Sequence, residues 1–159
     1  MTGGMKNPMK FTDLTEEKLA TVDGVFVPGG HAPLSDLWHD ANLGRILTYF
    51  HENNKPIGAI CHGPAGLLST KLLNQGNFPF EGYRLACYSF IEEKANELMW
   101  FDKLKWYQDC ALKEAGAIVR NKKIPMLPNV VLDRELVTGK TILKLFLVIE
   151  FRTRTYHCK

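Results

Sequence analysis

The order of apolar and polar residues along the first half of the chain predicts a helix between two strands. Two short apolar runs, Gly24–Pro28 and Pro56–Ile60, have the length and composition of buried parallel strands. Between them, apolar residues recur at helical spacing from Leu43 to Glu52, and the polar segment 53–56 ends the pattern. A threonine- and acid-rich segment at residues 12–20 predicts a further short helix before the first strand.

The second half of the chain continues this alternation. The pattern predicts a strand over residues 83–88, a helix over 91–117 interrupted near 99–102, and a hairpin or paired strands over 130–139. Strands that alternate with helices indicate an α/β fold with a mainly parallel sheet. We therefore expect a single domain over residues 1–159, in which residues 140–159 form an atypical apolar and basic tail.

Composition and charge narrow the class of protein. The chain has 159 residues, 45% of them hydrophobic, which suffices for one domain core. Twenty basic and seventeen acidic residues give a formal net charge of +3 without a long run of one sign, which argues against a nucleic-acid partner. No segment approaches the roughly 20 apolar residues that span a bilayer, and the first residues do not resemble a signal peptide. We expect a cytoplasmic protein without membrane contact.

The four cysteines, at positions 61, 87, 110 and 158, show no CxxC spacing, so reduced thiols are expected. Cys87 lies in a predicted strand and Cys110 on a predicted apolar helix face, which favours buried, inert thiols. Cys158 lies near the end of the chain and is expected to be exposed. Cys61 differs from these three, because it follows a buried strand and directly precedes a tight turn and a helix-like run.

The position of Cys61 is typical of a nucleophilic cysteine at a strand-to-helix elbow. Gly63 and Pro64 specify the sharp turn that an exposed nucleophile requires. The N–H groups at a helix N-terminus favour the thiolate and can hold an oxyanion, and Gly29 and Gly30 are candidates for further oxyanion donors. The alternative is a small buried thiol beside glycines that only shape a loop.

Two histidines are candidates for the same site. His62 follows Cys61, but neighbouring side chains on a turn often diverge, so contact between them is not guaranteed. His31 follows the double glycine and would line the same pocket if the two turns lie side by side at the carboxyl ends of neighbouring strands. A metal site of His31, His62 and Cys61 is the alternative, but no pair has a strong zinc spacing, and we predict neither a metal nor another cofactor.

Three segments in this order, 25–31, 59–65 and 133–139, resemble the ThiJ/PfpI superfamily. This class I glutamine amidotransferase-like group includes the Parkinsonism-associated deglycase, and its fold is a flavodoxin-like three-layer sandwich. The heat-shock glyoxalase III branch is the most similar. The resemblance implies Cys61 as nucleophile, His62 as its partner and a third acidic residue about thirty positions on. Glu93 fits that place, with Glu92 as the neighbouring alternative.

The resemblance also implies two departures from the superfamily pattern. Members normally begin with a β-α-β stretch that supplies a glutamate near the nucleophilic sulfur, and this sequence starts after the corresponding elements. After Thr138-Gly139, members usually continue with an Asn-Pro-Ala-Ser-like segment and a final helix. This chain instead has Lys140 followed by the tail. The expectation is thus a partial domain that lacks the first β-α-β elements.

The function implied by the resemblance is a glutathione-independent glyoxalase that converts methylglyoxal to D-lactate through Cys61. Its partner is a small 2-oxoaldehyde, and members of this branch also act as chaperones. Two alternatives stay open. The first is a non-catalytic stress-response chaperone that holds unfolded client proteins or forms a homodimer, and the second is a cysteine peptidase or amidase of the same superfamily.

Overall fold

A mainly parallel sheet organises the fold. The computed structural model describes residues 8–100, 103–121 and 129–140. The main sheet has the strand order β1-β2-β6-β5, with β1 at Val25–Val27, β2 at Ile57–Ile60, β5 at Val130–Asp133 and β6 at Leu136–Gly139. Strands β1, β2 and β6 are parallel, and β5 pairs antiparallel with β6. The predicted α/β class with a mainly parallel sheet is therefore confirmed.

A second, smaller sheet and several helices complete the described part of the chain. Strands β3 and β4 pair in parallel, and β3 adjoins β5 and β6. Their bounds are Arg84–Leu85 and Ile118–Val119. The α-helices are α1 Glu16–Ala20, α2 Ala32–Ser35, α3 Ala41–Glu52, α4 Phe90–Trp100 and α5 Gln108–Glu114; 3₁₀ helices cover Phe11–Asp13, Leu37–His39 and Gly63–Leu72.

The predicted strands at 24–28 and 56–60 and the hairpin at 130–139 are confirmed as β1, β2 and β5 with β6. The helix predicted over 91–117 with an interruption near 99–102 is indeed two helices, α4 and α5. The Glu97 carboxylate of α4 accepts hydrogen bonds from Leu104 N–H and Tyr107 Oη and so holds the segment before α5 against α4. The predicted helix at 12–20 was too long, since α1 starts only at Glu16. The predicted strand at 83–88 is reduced to the two residues of β3.

The apolar stripe of α3 forms part of the main core. Leu43, Ile46, Leu47 and Phe50 are all buried there, together with Ile57 of β2. Asp40 caps this helix by accepting a hydrogen bond from the backbone N–H of Leu43 at 2.9 Å. The stripe packs α3 against the 3₁₀ helix that follows Cys61, so the core supports the elbow from below.

Close backbone packing between α3 and this 3₁₀ helix requires Gly44. A Cβ atom at Gly44 would lie 2.5 Å from the carbonyl oxygen of Ser69, which belongs to the neighbouring backbone and cannot rotate away. At Gly66 an added Cβ would lie 3.2 Å from Cδ2 of Leu43, the movable end of a side chain. A larger side chain is therefore tolerated better at Gly66 than at Gly44.

We expect Gly44→Ala to lower the free energy of unfolding by about 1–3 kcal/mol, because overpacking against backbone forces α3 away from its partner. In an unobstructed helix the same change stabilises by up to about 1 kcal/mol. Urea denaturation of both variants measures the difference, with Gly66→Ala as the matched control that loses much less. Equal or greater stability of Gly44→Ala would contradict the packing described here.

Candidate active site

Cys61 stands at a strained backbone position between β2 and the 3₁₀ helix Gly63–Leu72. Its φ angle is 59°, in the left-handed region that side chains other than glycine rarely adopt. Two backbone hydrogen bonds hold it there: Cys61 N–H donates to Gly139 O at 2.8 Å, and Cys61 O accepts from Tyr88 N–H at 2.9 Å. The geometry is that of the predicted elbow, with a half-buried side chain projecting from the turn.

Gln108 at the start of α5 is a further support of the elbow that the sequence analysis missed. Its side-chain Nε2 donates to the carbonyl oxygens of Cys61 at 2.9 Å and Tyr88 at 3.2 Å. The Gln108 side chain is buried. No local pattern reveals this role, because Gln108 lies 47 positions from Cys61. Helix α5 thus reaches the candidate site through one amide group.

The glycine-rich turn after β1 lies directly against the elbow. A Cβ atom at Gly29 would lie 2.6 Å from the Cβ of Cys61, and one at Gly63 would overlap the carbonyl oxygen of Val27. Gly30 has a φ of 92°, a conformation that glycine adopts without strain. The two turns therefore lie side by side at the carboxyl ends of β1 and β2, as the sequence analysis anticipated.

Cys61, His62 and Glu93 form a continuous chain of contacts. Sγ of Cys61 lies 3.2 Å from Nδ1 of His62, so the two neighbouring side chains converge. The opposite ring nitrogen, Nε2, makes a short hydrogen bond to Oε1 of Glu93. His62 and Glu93 are buried, whereas Cys61 is partly open. Of the two glutamates left open by the sequence, it is Glu93 that contacts His62.

The environment of His62 favours its charged form. Burial opposes protonation of the imidazole, but hydrogen bonds and charge interactions with Cys61 and Glu93 outweigh it and raise the pKa of His62 to about 9. Below that pH the ring is a cation between a carboxylate and a sulfur. An imidazolium next to a cysteine is the arrangement that stabilises a thiolate.

Glu92 has a different role from Glu93. Its Oε2 accepts hydrogen bonds from Ser89 N at 3.0 Å and Ser89 Oγ at 2.5 Å, which is a capping box at the start of α4. The same oxygen lies 2.9 Å from Nζ of Lys140, and both side chains of this ion pair are buried. The Ser-x-x-Glu spacing of residues 89–92 is the sequence signal that distinguishes the two glutamates.

His31 lies over the ring of His62. Their ring centroids are 4.9 Å apart, and the ring of Tyr88 is also 4.9 Å from that of His62. Ligand atoms of His31, His62 and Glu93 lie within 4.8 Å of one another, so within the described part of the chain these three could hold a metal ion, with Glu93 in place of the Cys61 considered from sequence. Both nitrogens of His62 already contact Cys61 and Glu93, so a metal at this place would replace the hydrogen bond to Glu93.

Two other cysteines lie in environments unlike that of Cys61. Cys87 is fully buried as predicted, and burial raises the pKa of its thiol far above the usual range. The prediction that Cys110 faces the core was wrong, because its side chain is exposed on α5. Burial of part of that side chain and the adjacent Asp109 raise the pKa of Cys110. Cys158 and the tail 141–159 lie outside the described residues.

Residues 3–150 match the DJ-1/PfpI family. The chain belongs to this family. Among relatives, the protein/nucleic acid deglycase HchA of Staphylococcus aureus is 33% identical over 141 residues, which are 85% of this chain and 47% of that protein. Its counterpart in Pseudomonas aeruginosa is 32% identical over 142 residues, with 85% and 48% covered. The chain thus spans about half the length of these DJ-1/PfpI relatives.

Solved structures of other proteins share the fold of this chain. The rapid encystment protein of 24 kDa from Francisella tularensis is 28% identical, with a TM-score of 0.75 over 87% of this chain and 58% of that chain. Glyoxalase III from Candida albicans is 23% identical, with a TM-score of 0.64 over 78% of this chain and 55% of that chain, and this likeness shows the fold alone. The predicted superfamily and its flavodoxin-like fold are therefore confirmed. None of the helices in the described ranges has the length and apolar character needed to cross a membrane.

We expect iodoacetamide near pH 6 to alkylate Cys61 faster than Cys110, because of these two thiols it is Cys61 that faces an imidazole still charged at that pH. Mass spectrometry of all four cysteines measures the rates. Glu93→Gln removes one group that keeps His62 protonated. In this variant the alkylation rate of Cys61 should therefore fall toward that of Cys110. If Cys61 reacts no faster than Cys110 or Cys158, the site does not activate its thiol.

Proposed function

We propose that the protein is a cysteine-dependent, glutathione-independent glyoxalase that acts on small 2-oxoaldehydes such as methylglyoxal. The observation that carries the proposal is the chain of contacts from Cys61 through His62 to Glu93, with the sulfur at the open end. The deglycase relatives agree with chemistry on reactive carbonyl compounds.

The reaction begins when the Cys61 thiolate adds to the aldehyde carbon. A carbon–sulfur bond forms, and the carbonyl electrons move to oxygen, which takes a proton from the His62 imidazolium. We assign the hydrogen bonds to this oxyanion to the backbone N–H groups of Gly29 and Gly30, whose turn lies against Cys61, and to those at the start of the 3₁₀ helix. The product of the step is a hemithioacetal on Cys61.

The neutral imidazole of His62 then removes the proton from the former aldehyde carbon. The resulting enediol is protonated at the second carbon, which leaves a lactate thioester on Cys61. Water hydrolyses the thioester, so the sum is methylglyoxal and water giving lactate, with no external oxidant or reductant. Glu93 acts through His62, whose orientation and charge it maintains, and it is therefore a positioning residue.

Purified protein should convert methylglyoxal to D-lactate, measured by a stereospecific lactate assay. Cys61→Ala should reduce the rate to the uncatalysed level, because no nucleophile remains. Glu93→Gln should lower kcat/KM by about 10²-fold, at the lower end of what acid–base catalysis contributes. Cys110→Ala, which removes an exposed thiol elsewhere, is the matched control and should keep full activity. Equal rates of lactate formation by wild type and Cys61→Ala would contradict the proposal.

A second candidate is a chaperone-like or dimer contact on α4. Ile91, Leu98 and Met99 are 65%, 79% and 68% exposed, and their spacing places them on one face of the helix. Exposed apolar side chains of this kind hold unfolded chains or a second subunit. Suppression of client aggregation that persists in Cys61→Ala but is lost in Leu98→Ser would favour this function. A peptidase or amidase that uses Cys61 stays a prediction.

A further inference from the structure

A cavity of about 590 Å³ lies beside the candidate site. Its walls include His31, Trp38, His39, Lys103, Lys105 and Trp106. His31 belongs to both places, because it lines the cavity and its ring lies 4.9 Å from that of His62. His62 in turn lies 3.2 Å from the Cys61 sulfur through Nδ1, so a chain of contacts leads from the cavity wall through His31 and His62 to the nucleophile.

The wall that carries the two lysines is held in place by its neighbours. Leu104, between them, donates its backbone N–H to Glu97 Oε1 at 2.9 Å. Trp106 donates its indole N–H to Leu34 O at 3.0 Å, and its ring lies 5.4 Å from that of Trp38. Segment 103–106 is thereby tied to both α4 and α2. The backbone positions of the lysines are set by these contacts before any ligand arrives.

Lysine side chains supply the charge of the cavity lining within the described residues. That part of the lining contains Lys103 and Lys105 but neither an aspartate nor a glutamate. Among those same residues, Lys103 and Lys105 form no ion pair, in contrast to Lys94, Lys113 and Lys140, which each lie next to a carboxylate. A cavity whose described lining has lysines and aromatic rings but no acidic side chain attracts an anion with an apolar stem.

We propose that this cavity binds the anionic end of the substrate, so that the preferred substrates are 2-oxoaldehydes that carry a carboxylate. The inference rests on the proposed function of Cys61 and names the substrate class of that site. With 4,5-dioxopentanoate the aldehyde carbon takes up water and the adjacent ketone becomes an alcohol, so the product is 2-hydroxyglutarate. The aldehyde carbon is oxidised to a carboxylate and the ketone carbon is reduced to an alcohol, so no external oxidant or reductant is needed.

The test compares 4,5-dioxopentanoate with its carboxamide, 4,5-dioxopentanamide, which has the same shape without the charge. Wild-type kcat/KM for the acid should exceed that for the amide about tenfold, and 0.5 M salt should reduce the ratio because ions screen exposed lysines. In Lys103→Gln/Lys105→Gln the ratio should approach one. Lys10→Gln removes an exposed charge that does not line the cavity and should leave the ratio unchanged.

Binding to the Cys61→Ala protein, measured by calorimetry, separates the two proposals because it requires no turnover. If methylglyoxal and both probes are left unreacted by wild type, the glyoxalase function fails, and the affinities alone decide on the anion site. Tighter binding of the acid that disappears in the Lys103→Gln/Lys105→Gln background supports the anion site. Equal affinities and equal kcat/KM for acid and amide overturn it, even when methylglyoxal is converted.

Discussion

The hydrogen bonds around the peptide groups of Cys61 tie the rest of the site together. A residue with a side chain in the left-handed region costs on the order of 1–3 kcal/mol, and it persists only when the surroundings enforce it. Here β6 accepts from Cys61 N through Gly139, while Tyr88 and Gln108 donate to Cys61 O. Three separate parts of the chain therefore meet at the backbone of one residue, and Tyr88 also places its ring 4.9 Å from that of His62.

The end of β2 away from Cys61 is also fastened to β6. Ile57 N–H donates to Glu135 O, and the Glu135 carboxylate lies 2.6 Å from Nδ1 of His51 and accepts from Tyr83 Oη at 3.1 Å. These contacts connect α3, the β5–β6 turn and the segment before β3. Because both ends of the β2–β6 pair are held, the position of the elbow relative to the sheet is well defined.

Two adjacent buried glutamates, Glu92 and Glu93, each form an ion pair with a different basic residue. Like charges close together disfavour ionisation of both, unless each has a partner of opposite sign. Lys140 pairs with Glu92, which also caps α4, and protonated His62 pairs with Glu93. Lys140 directly follows β6, so the end of this strand contributes to the charge balance at the site.

The sequence by itself determined the features that depend on short stretches of chain. Apolar runs of four or five residues specified β1 and β2, and Gly63-Pro64 after Cys61 specified the elbow, since strand and turn preferences act between neighbours. The ordered motifs identified the family and limited the third residue to Glu92 or Glu93. The same local reasoning misplaced Cys110, because a helical pattern without its packing partner does not reveal which face is covered.

Only the tertiary structure decided how these pieces meet. The convergence of Cys61 with His62, the selection of Glu93, the support from Gln108 and the basic cavity next to His31 all depend on contacts between distant parts of the chain. A local sequence pattern does not predict contacts between residues that are far apart in the chain. Such contacts arise when the apolar faces of helices and sheet are buried together. Polar groups that become buried in this packing form hydrogen bonds with the residues that then lie next to them.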